Sequence, residues 1–571
     1  MTKQWVFKPT PDQNDIKVLQ EALGIHALLC ALLVQREITD YDKAKHFFRP
    51  DLAGLHDPFE MKDMDRAVER LNDAIFQEQR ILIYGDYDVD GTTSVALVYN
   101  FLKAYSANIF TYIPDRYTEG YGVSRQGIQW AIDHDIDLII TLDCGIRALD
   151  MVRLAVSHGV DVIICDHHLP GTELPNAYAV LDPKRSDCEY PYDELSGCGV
   201  GFKLLQAWCI QNSVELNHLY EYLDLVAVSI ASDIVPITGE NRILAYYGLK
   251  KLNASATPGL AAMIEKAGLQ RPLSISDVVF GIGPRINAAG RINHAKTALD
   301  LLTRASKEEA YVFAEKLNLE NNERKSFDES ITLEALGMIK KEGQQDNHST
   351  VLFKKDWHKG VIGIVASRCI EHYYKPTIIL TESNGKITGS ARSVNGFDVY
   401  NAIDKCSHLL DQFGGHTHAA GLTFHKSKLY DFKAAFEAVV GEMIKEEHKV
   451  CKIDIDMEIP LDAIDFKLLN ILKQMGPFGP KNMQPVFVAR NVTLKSSPRV
   501  LKEKHLKLFV SQPDTDKAFD AIGFGLGHFE QKLSSGFDIA FTIEENNFRG
   551  ETSLQLMLKD IKLHQAAVVA S

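Results

Sequence analysis

Three short runs, ILIYG from Ile81, IDLIITL from Ile136 and VDVIIC from Val160, are almost wholly apolar and lack the polar alternation of a strand with one wet face. Strands of this kind are buried on both faces, as in the centre of a parallel sheet covered by helices. Helical patterns separate them, so Ile81 to about Val235 reads as an α/β sheet domain. A length of 571 residues exceeds what one core organises and implies further domains. Residues 1–75 read as a polar helical segment without chemistry. Leu301 to Lys341 repeats apolar residues at helical spacing and reads as a long helix between domains. A second α/β block follows, containing VLFKKDWHKGVIGIVASR, PTIILTE and FGGHTHAAGLTF, and then strands with Gly, Pro and Asn turns that suit a small β-barrel. The fold class is therefore α/β and multidomain, divided as 1–75, 76–300, 301–345, 346–448 and 449–571.

No window approaches the run of about 18 apolar residues that a membrane span needs. MTKQWVFKPTPDQND lacks the pattern of a secretory signal, so a cytoplasmic protein without membrane contact is expected. The nine cysteines are scattered and form no CxxC pair, which argues against a disulfide framework and a zinc ribbon. A net charge of −14 is unusual for a protein that grips phosphates, but the average hides two basic segments. Gly281 to Lys296 carries Arg285, Arg291 and Lys296 with no acid, and Lys495 to Lys507 carries five Lys/Arg against Glu503. Each alone is equally well a solvated face.

Chemistry concentrates where the three apolar runs end, and ligands of open parallel sheets bind outside the carboxyl ends of their strands. Asp86-Tyr87-Asp88-Val89-Asp90-Gly91 follows the first run, Asp143-Cys144-Gly145 the second and Asp166-His167-His168 the third. A fourth run, LVAVSIASDIVP, brings Asp233 near its end, with helix and strand both open there. So many carboxylates disfavour one another's ionisation, and divalent cations resolve the conflict. Hard oxygen ligands with one or two imidazoles suit Mg²⁺ or Mn²⁺ rather than Zn²⁺. Two ions about 3.5–4 Å apart are the usual phosphodiester-cleaving pair, and one carboxylate bridges them. Asp143, between the Asp88/Asp90 cluster and His167, is the candidate bridge.

Taken singly, each motif has a structural explanation: a DxD after a strand serves as a turn or helix N-cap, and a His-His pair as one core and one surface residue. Gly85 to Ser94 matches neither the GxGxxG of a dinucleotide site nor the GK[ST] ending of a P-loop. Three acidic strand ends with a DHH in one domain are together a site.

The set DYDVDG, LDCG, DHH and ASDIVP resembles the four motifs of the DHH phosphoesterase superfamily, and Gly414-Gly415-His416 is similar to the GGH signature of its DHHA1 domain. Together with GIGPRINAAGRINHA and the tail barrel, the likeness covers nearly the whole chain and points to the long exonucleases of that superfamily. It implies DHH and DHHA1 domains in a ring-like arrangement with an OB-fold. The activity implied is processive 5′-to-3′ degradation of single-stranded DNA to mononucleotides, in recombination and repair. Asp88, Asp90, Asp143, His167 and Asp233 would be metal ligands, with Asp86 a ligand or its support, and His168 would sit beside the scissile phosphate. The resemblance assigns Arg116, Arg285, Asn287, Arg291, Ser390, Arg392 and His416 to the phosphates or the 5′ end. Tyr117 and Tyr121 suit base stacking and core packing equally. Attack would be by water that the ions activate. The family's usual partners are a helicase and single-strand binding protein, and one chain supplies the whole site, which suits a monomer. Two other functions stay open. A phosphoesterase acting on small nucleotides or oligonucleotides would be shorter, and a non-catalytic single-stranded-DNA scaffold would have lost ligands.

Overall fold

The computed structural model describes residues 3–513, 515–533 and 536–564. Contacts divide the chain into two compact units, one of residues 50–330 with 477–483 and one of 1–49, 331–476 and 484–571. A continuous 35-residue helix, Lys307–Lys341, runs from the first into the second. Among the described residues, no single helix is long and apolar enough to cross a membrane.

The first unit holds a five-stranded sheet, all parallel, in the order Ile109–Tyr112, Ile81–Gly85, Leu138–Leu142, Asp161–Cys165, Ala179–Leu181. Ile81–Gly85 and Leu138–Leu142 are buried at every residue, as their uniform apolar composition predicts. One face packs Ile81, Ile83, Leu138 and Ile140 against the helices Val89–Leu102, Gly197–Gln211 and Leu223–Asp233; the other packs Leu82, Tyr84, Ile139 and Ile164 against Ile128 and Val152. The run around Asp233, open between helix and strand in the sequence, is a helix. Its residues 223–231 are buried all round, which is why no periodicity marks it.

The second unit contains a mixed five-stranded sheet of Thr350–Phe353, Thr377–Ser383, Lys386–Arg392, Gln412–His416 and Ala419–Phe424. Toward its C-terminus, the expected small β-barrel is a seven-stranded sheet that does not close fully: among the described residues its strands Phe487–Leu494 and His505–Ser511 also pair at Thr493↔Ser511 and Leu494↔Val510. Ala518–Gly523, Glu551–Leu563, Met457–Glu458 and Arg499–Leu501 also belong to it, and Glu551–Leu563 pairs along its length with the seventh strand, Phe537–Phe548. The basic Lys495–Lys507 segment contributes Arg499 and Lys507 as cross-strand neighbours, and Lys507 is paired with Asp520 at 3.3 Å.

The helical reading of residues 1–75 holds for Gln13–Leu23, Ala27–Val34, Tyr41–Phe48 and Met64–Phe76, but Lys3–Phe7 is a strand. It pairs in parallel with Cys451–Ile455, a partner far along the chain that local pattern does not reveal. Trp5 is its one buried residue and donates from Nε1 to the buried Asp560 carboxylate at 2.8 Å. Trp5→Phe keeps an aromatic ring but strips Asp560 of that donor and removes part of the indole's buried bulk, so unfolding in urea should show a loss of about 1–3 kcal/mol. An unchanged midpoint would show that this strand does not secure the N-terminus.

Candidate metal centre

The strand order reverses between Ile81–Gly85 and Leu138–Leu142, and the carboxyl ends of these two strands open a crevice there. Asp86 leaves the first strand directly. Asp88 is the N-cap of the helix Val89–Leu102 and accepts from Gly91 N at 3.0 Å, so the DxD is a cap and a cluster at once. Gly91 is obligatory: a Cβ there would lie 2.3 Å from the Asp86 carbonyl oxygen. Asp143 follows Leu138–Leu142 in the left-handed region, φ 58°, with its N–H donating to Cys165 O at 2.9 Å. Asp166, His167 and His168 follow Asp161–Cys165, and Asp233 closes the helix Leu223–Asp233.

The imidazole of His167 is the hub. Its Nδ1 donates to Leu195 O at 3.0 Å, which leaves Nε2 as the lone-pair nitrogen, and burial holds the ring's pKa below its usual value and so neutral. That Nε2 faces Asp143 Oδ1 at 3.1 Å, Asp233 Oδ2 at 3.6 Å and Asp90 Oδ2 at 3.7 Å. Ligand atoms of Asp90, His167 and Asp233, and separately of Asp143, His167 and His168, lie within 4.8 Å of one another. Burial raises the carboxyls of Asp86, Asp88, Asp143 and Asp233, and a neighbouring carboxylate raises each further: Asp88 acts on Asp86, and Asp90 on the other three. Asp86 Oδ2 is buried without a hydrogen-bond partner. Oxygen donors in mutual repulsion around a neutral imidazole fit hard divalent cations, and the residues present therefore suit Mn²⁺ or Mg²⁺.

His168 is different in kind. Burial would lower it, but Asp166, bonded to Nδ1 at 2.7 Å, together with the charges of Asp233 and Asp90 outweighs burial and raises it to about 9. Burial likewise pushes Asp166 up, and His168 with the Ile146 N–H outweighs this and brings it down to about 2. Asp166 thus orients a cationic His168 instead of facing the cluster of carboxylates.

A cavity of about 250 Å³ opens on these groups, lined by Asp86, Asp88, Asp90 and Asp233 and also by Arg116, Asn287 and Arg291. Asn287 and Arg291, four apart on the helix Gly283–Ile292, share a face. Arg285, grouped with them in the sequence, lies two residues before Asn287 and so on another face; its guanidinium donates to Gly281 O at 2.5 Å and Asn318 Oδ1 at 3.0 Å. Tyr117 packs, its hydroxyl donating to Arg291 O, whereas Tyr121 lines the cavity and is 58% exposed. In the second unit, Ser390 and Arg392 end the strand Lys386–Arg392, with Arg392 Nη1 donating to Ser390 Oγ at 3.0 Å. Ala419 pairs with Arg392 on one side and His416 on the other, so these three side chains gather as well. Sequence reading missed Tyr87 and Ser232 in the cavity wall, and Ser229, whose Oγ holds Asp90 Oδ1 at 2.7 Å. Both serines lie in the apolar run before Asp233, where a small polar residue was the signal.

Family profiles match at residues 80–230 (DHH family, N-terminal domain), 346–442 (DHHA1 domain) and 455–560 (RecJ OB domain). A Bacillus subtilis (strain 168) protein, the single-stranded-DNA-specific exonuclease RecJ, is 35% identical over 96% of this chain and 70% of its own length. The crystal structure of RecJ in complex with Mn²⁺ from Thermus thermophilus is similar at a TM-score of 0.85 and 27% identity, covering 99% of this chain and 80% of that one. Its complex with Mg²⁺ is similar at 0.79 and 26%, covering 99% and 79%. With the carboxylate–imidazole cluster in place and all three domains matched, the chain belongs to the RecJ family of DHH/DHHA1 proteins.

Proposed function

We propose that this protein is a metal-dependent exonuclease that degrades single-stranded DNA from its 5′ end to mononucleotides. The observation that carries this reading is the cavity whose lining combines the carboxylates of Asp86, Asp88, Asp90 and Asp233 with Arg116, Asn287 and Arg291. Anionic ligands for cations thereby share a cavity with donors suited to phosphate oxygens. Asp88, Asp90, Asp143, His167 and Asp233, supported by Asp86, would hold two ions, with Asp143 touching both. When bound, such ions lower the pKa of attacking water and offset charge on the phosphate. His168, held cationic by Asp166, stands to donate a hydrogen bond or proton to the phosphate ester. Arg116, Asn287 and Arg291 grip backbone phosphates, Arg285 braces the helix that carries two of them, and Tyr121 offers an exposed ring for a base. Ser390, Arg392 and His416 make a second phosphate-binding group. Cytoplasmic work as a monomer, beside single-strand binding protein and a helicase in recombination and repair, belongs to the same reading.

The test is digestion of a long single strand, labelled in turn at each end, with Mn²⁺ or Mg²⁺ and with chelator, beside blunt duplex. Mononucleotides should leave the 5′ label first, only with metal and only from the single strand. Turnover of dinucleotides alone would replace this reading with a small-substrate phosphoesterase, and binding without any cleavage would leave a scaffold.

A further inference from the structure

The loop between the strand Ile109–Tyr112 and the helix Arg125–Asp133 delivers three groups to the metal centre. Arg116 reaches the cavity with its guanidinium 5.0 Å from the centre of the Tyr87 ring. Tyr121 Oη meets His168 Nε2 at 3.1 Å, and Gly122 N donates to Asp86 Oδ1 at 3.3 Å. Within the loop Asp115 caps a turn, its Oδ1 accepting from Tyr117 N at 3.0 Å, Thr118 N at 2.8 Å and Thr118 Oγ1 at 2.9 Å. What ties that turn to both ends of the loop is a second carboxylate that the reaction does not use. Glu119 Oε1 accepts from Asp115 N at 2.8 Å, and its Oε2 accepts from Tyr112 Oη at 2.9 Å and Ser124 Oγ at 2.5 Å. These donors come from the strand end, the start of the loop and the N-cap of the following helix, so one side chain fastens the loop's entry to its exit. Tyr84 Oη reinforces the exit by accepting from Ser124 N and donating to Gly122 O, both at 3.0 Å.

We propose that Glu119 is a positioning residue: by drawing Asp115 N, Tyr112 and Ser124 to one carboxylate it sets the loop so that the Arg116 guanidinium stands where it receives the DNA. The proposal rests on the exonuclease reading for the identity of the substrate, and its mechanism runs through the loop alone. Residues acting through one another give non-additive losses, and a double-mutant cycle measures this.

Wild type, Glu119→Ala, Arg116→Ala and the double variant are compared by Kd for a fluorescent single strand in EDTA and by kcat/KM with Mn²⁺. Glu119→Ala should weaken Kd and kcat/KM about 10-fold, yet cost less than about 3-fold once Arg116 is already alanine. Glu119→Gln, whose amide oxygen still accepts while both hydroxyls turn to accept from its NH₂, should stay within about 3-fold of wild type. Should the alanine variant not fold, Glu119→Asp, a methylene too short to meet all three donors, reads the same cycle. Equal losses in both backgrounds, or none in the wild-type background, would overturn the assignment. If the wild-type protein binds the strand without cutting it, the exonuclease reading falls, while the Kd cycle still decides the role of Glu119.

Discussion

Asp143→Ala is expected to lower turnover of single-stranded DNA by more than about 10²-fold in Mn²⁺ or Mg²⁺, with the far-ultraviolet circular dichroism unchanged. Losing a residue that only orients a metal ligand already costs about 10–100-fold. Asp143 stands closer to the chemistry, its Oδ1 being 3.1 Å from His167 Nε2 and 4.0 Å from His168 Nδ1. The fold has no need of the charge. Burial and then Asp90, Asp88 and Asp233 raise the pKa of this carboxyl, so its ionised form opposes folding when no cation is present. That opposition sets in as pH rises above the unfolded value of about 3.9 and is absent below it. In EDTA at neutral pH the alanine variant should therefore unfold no earlier than wild type, and any advantage should vanish near the unfolded pKa. The stabilisation that Mn²⁺ gives wild type by binding the native state should shrink in the variant. Near-wild-type turnover with Mn²⁺ would sink the bridging role, and early unfolding in EDTA would make Asp143 a structural residue.

The centre was legible in the sequence because its groups leave consecutive strands of a sheet whose burial is written in composition. ILIYG, LIITL and VIIC need both faces covered, and so the acids after them must emerge at one edge. Asp233 was legible as a residue and not as an element, since a helix buried on all sides has no polar face to show its period. Arg285 and Arg291 look alike in GPRINAAGRI, and only the turn of the helix separates a group that braces from one that faces the cavity. The pairing of Lys3–Phe7 with Cys451–Ile455 lies beyond any local pattern, as does the partial closure of the C-terminal sheet. Glu119 escaped because an acid inside a polar loop reads as solvated, whereas three donors converge on it.

The placement of Asp90 and Asp143 also depends on an atom that is missing. The helix Gly197–Gln211 begins against the site, and its first N–H groups, from Gly197 and Cys198, donate to Asp90 Oδ2 and Oδ1 at 2.7 and 2.8 Å. Such a helix start favours a carboxylate. It can come this close only because residue 197 has no side chain: a Cβ there would lie 2.6 Å from Asp143 Cβ and 2.9 Å from its Cα and Oδ1. Asp143 cannot retreat, since its N–H is tied to Cys165 O and Gly145 beyond it, at φ 117°, packs on Thr141 and Ile164. Gly197→Ala must therefore push the helix start and Asp143 apart, and an ångström of misplacement at a reacting centre costs about 10²-fold. The expected result is a fall in kcat of that order with KM little changed, and a stability loss of about 1–3 kcal/mol from overpacking. Gly199→Ala is the control, because two residues along the same turn a Cβ would meet nothing nearer than 3.3 Å. Its kcat should stay within a few-fold of wild type. If the two variants lose activity equally, helix disruption explains the loss. If Gly197→Ala keeps full turnover, Asp143 is placed by its strand alone.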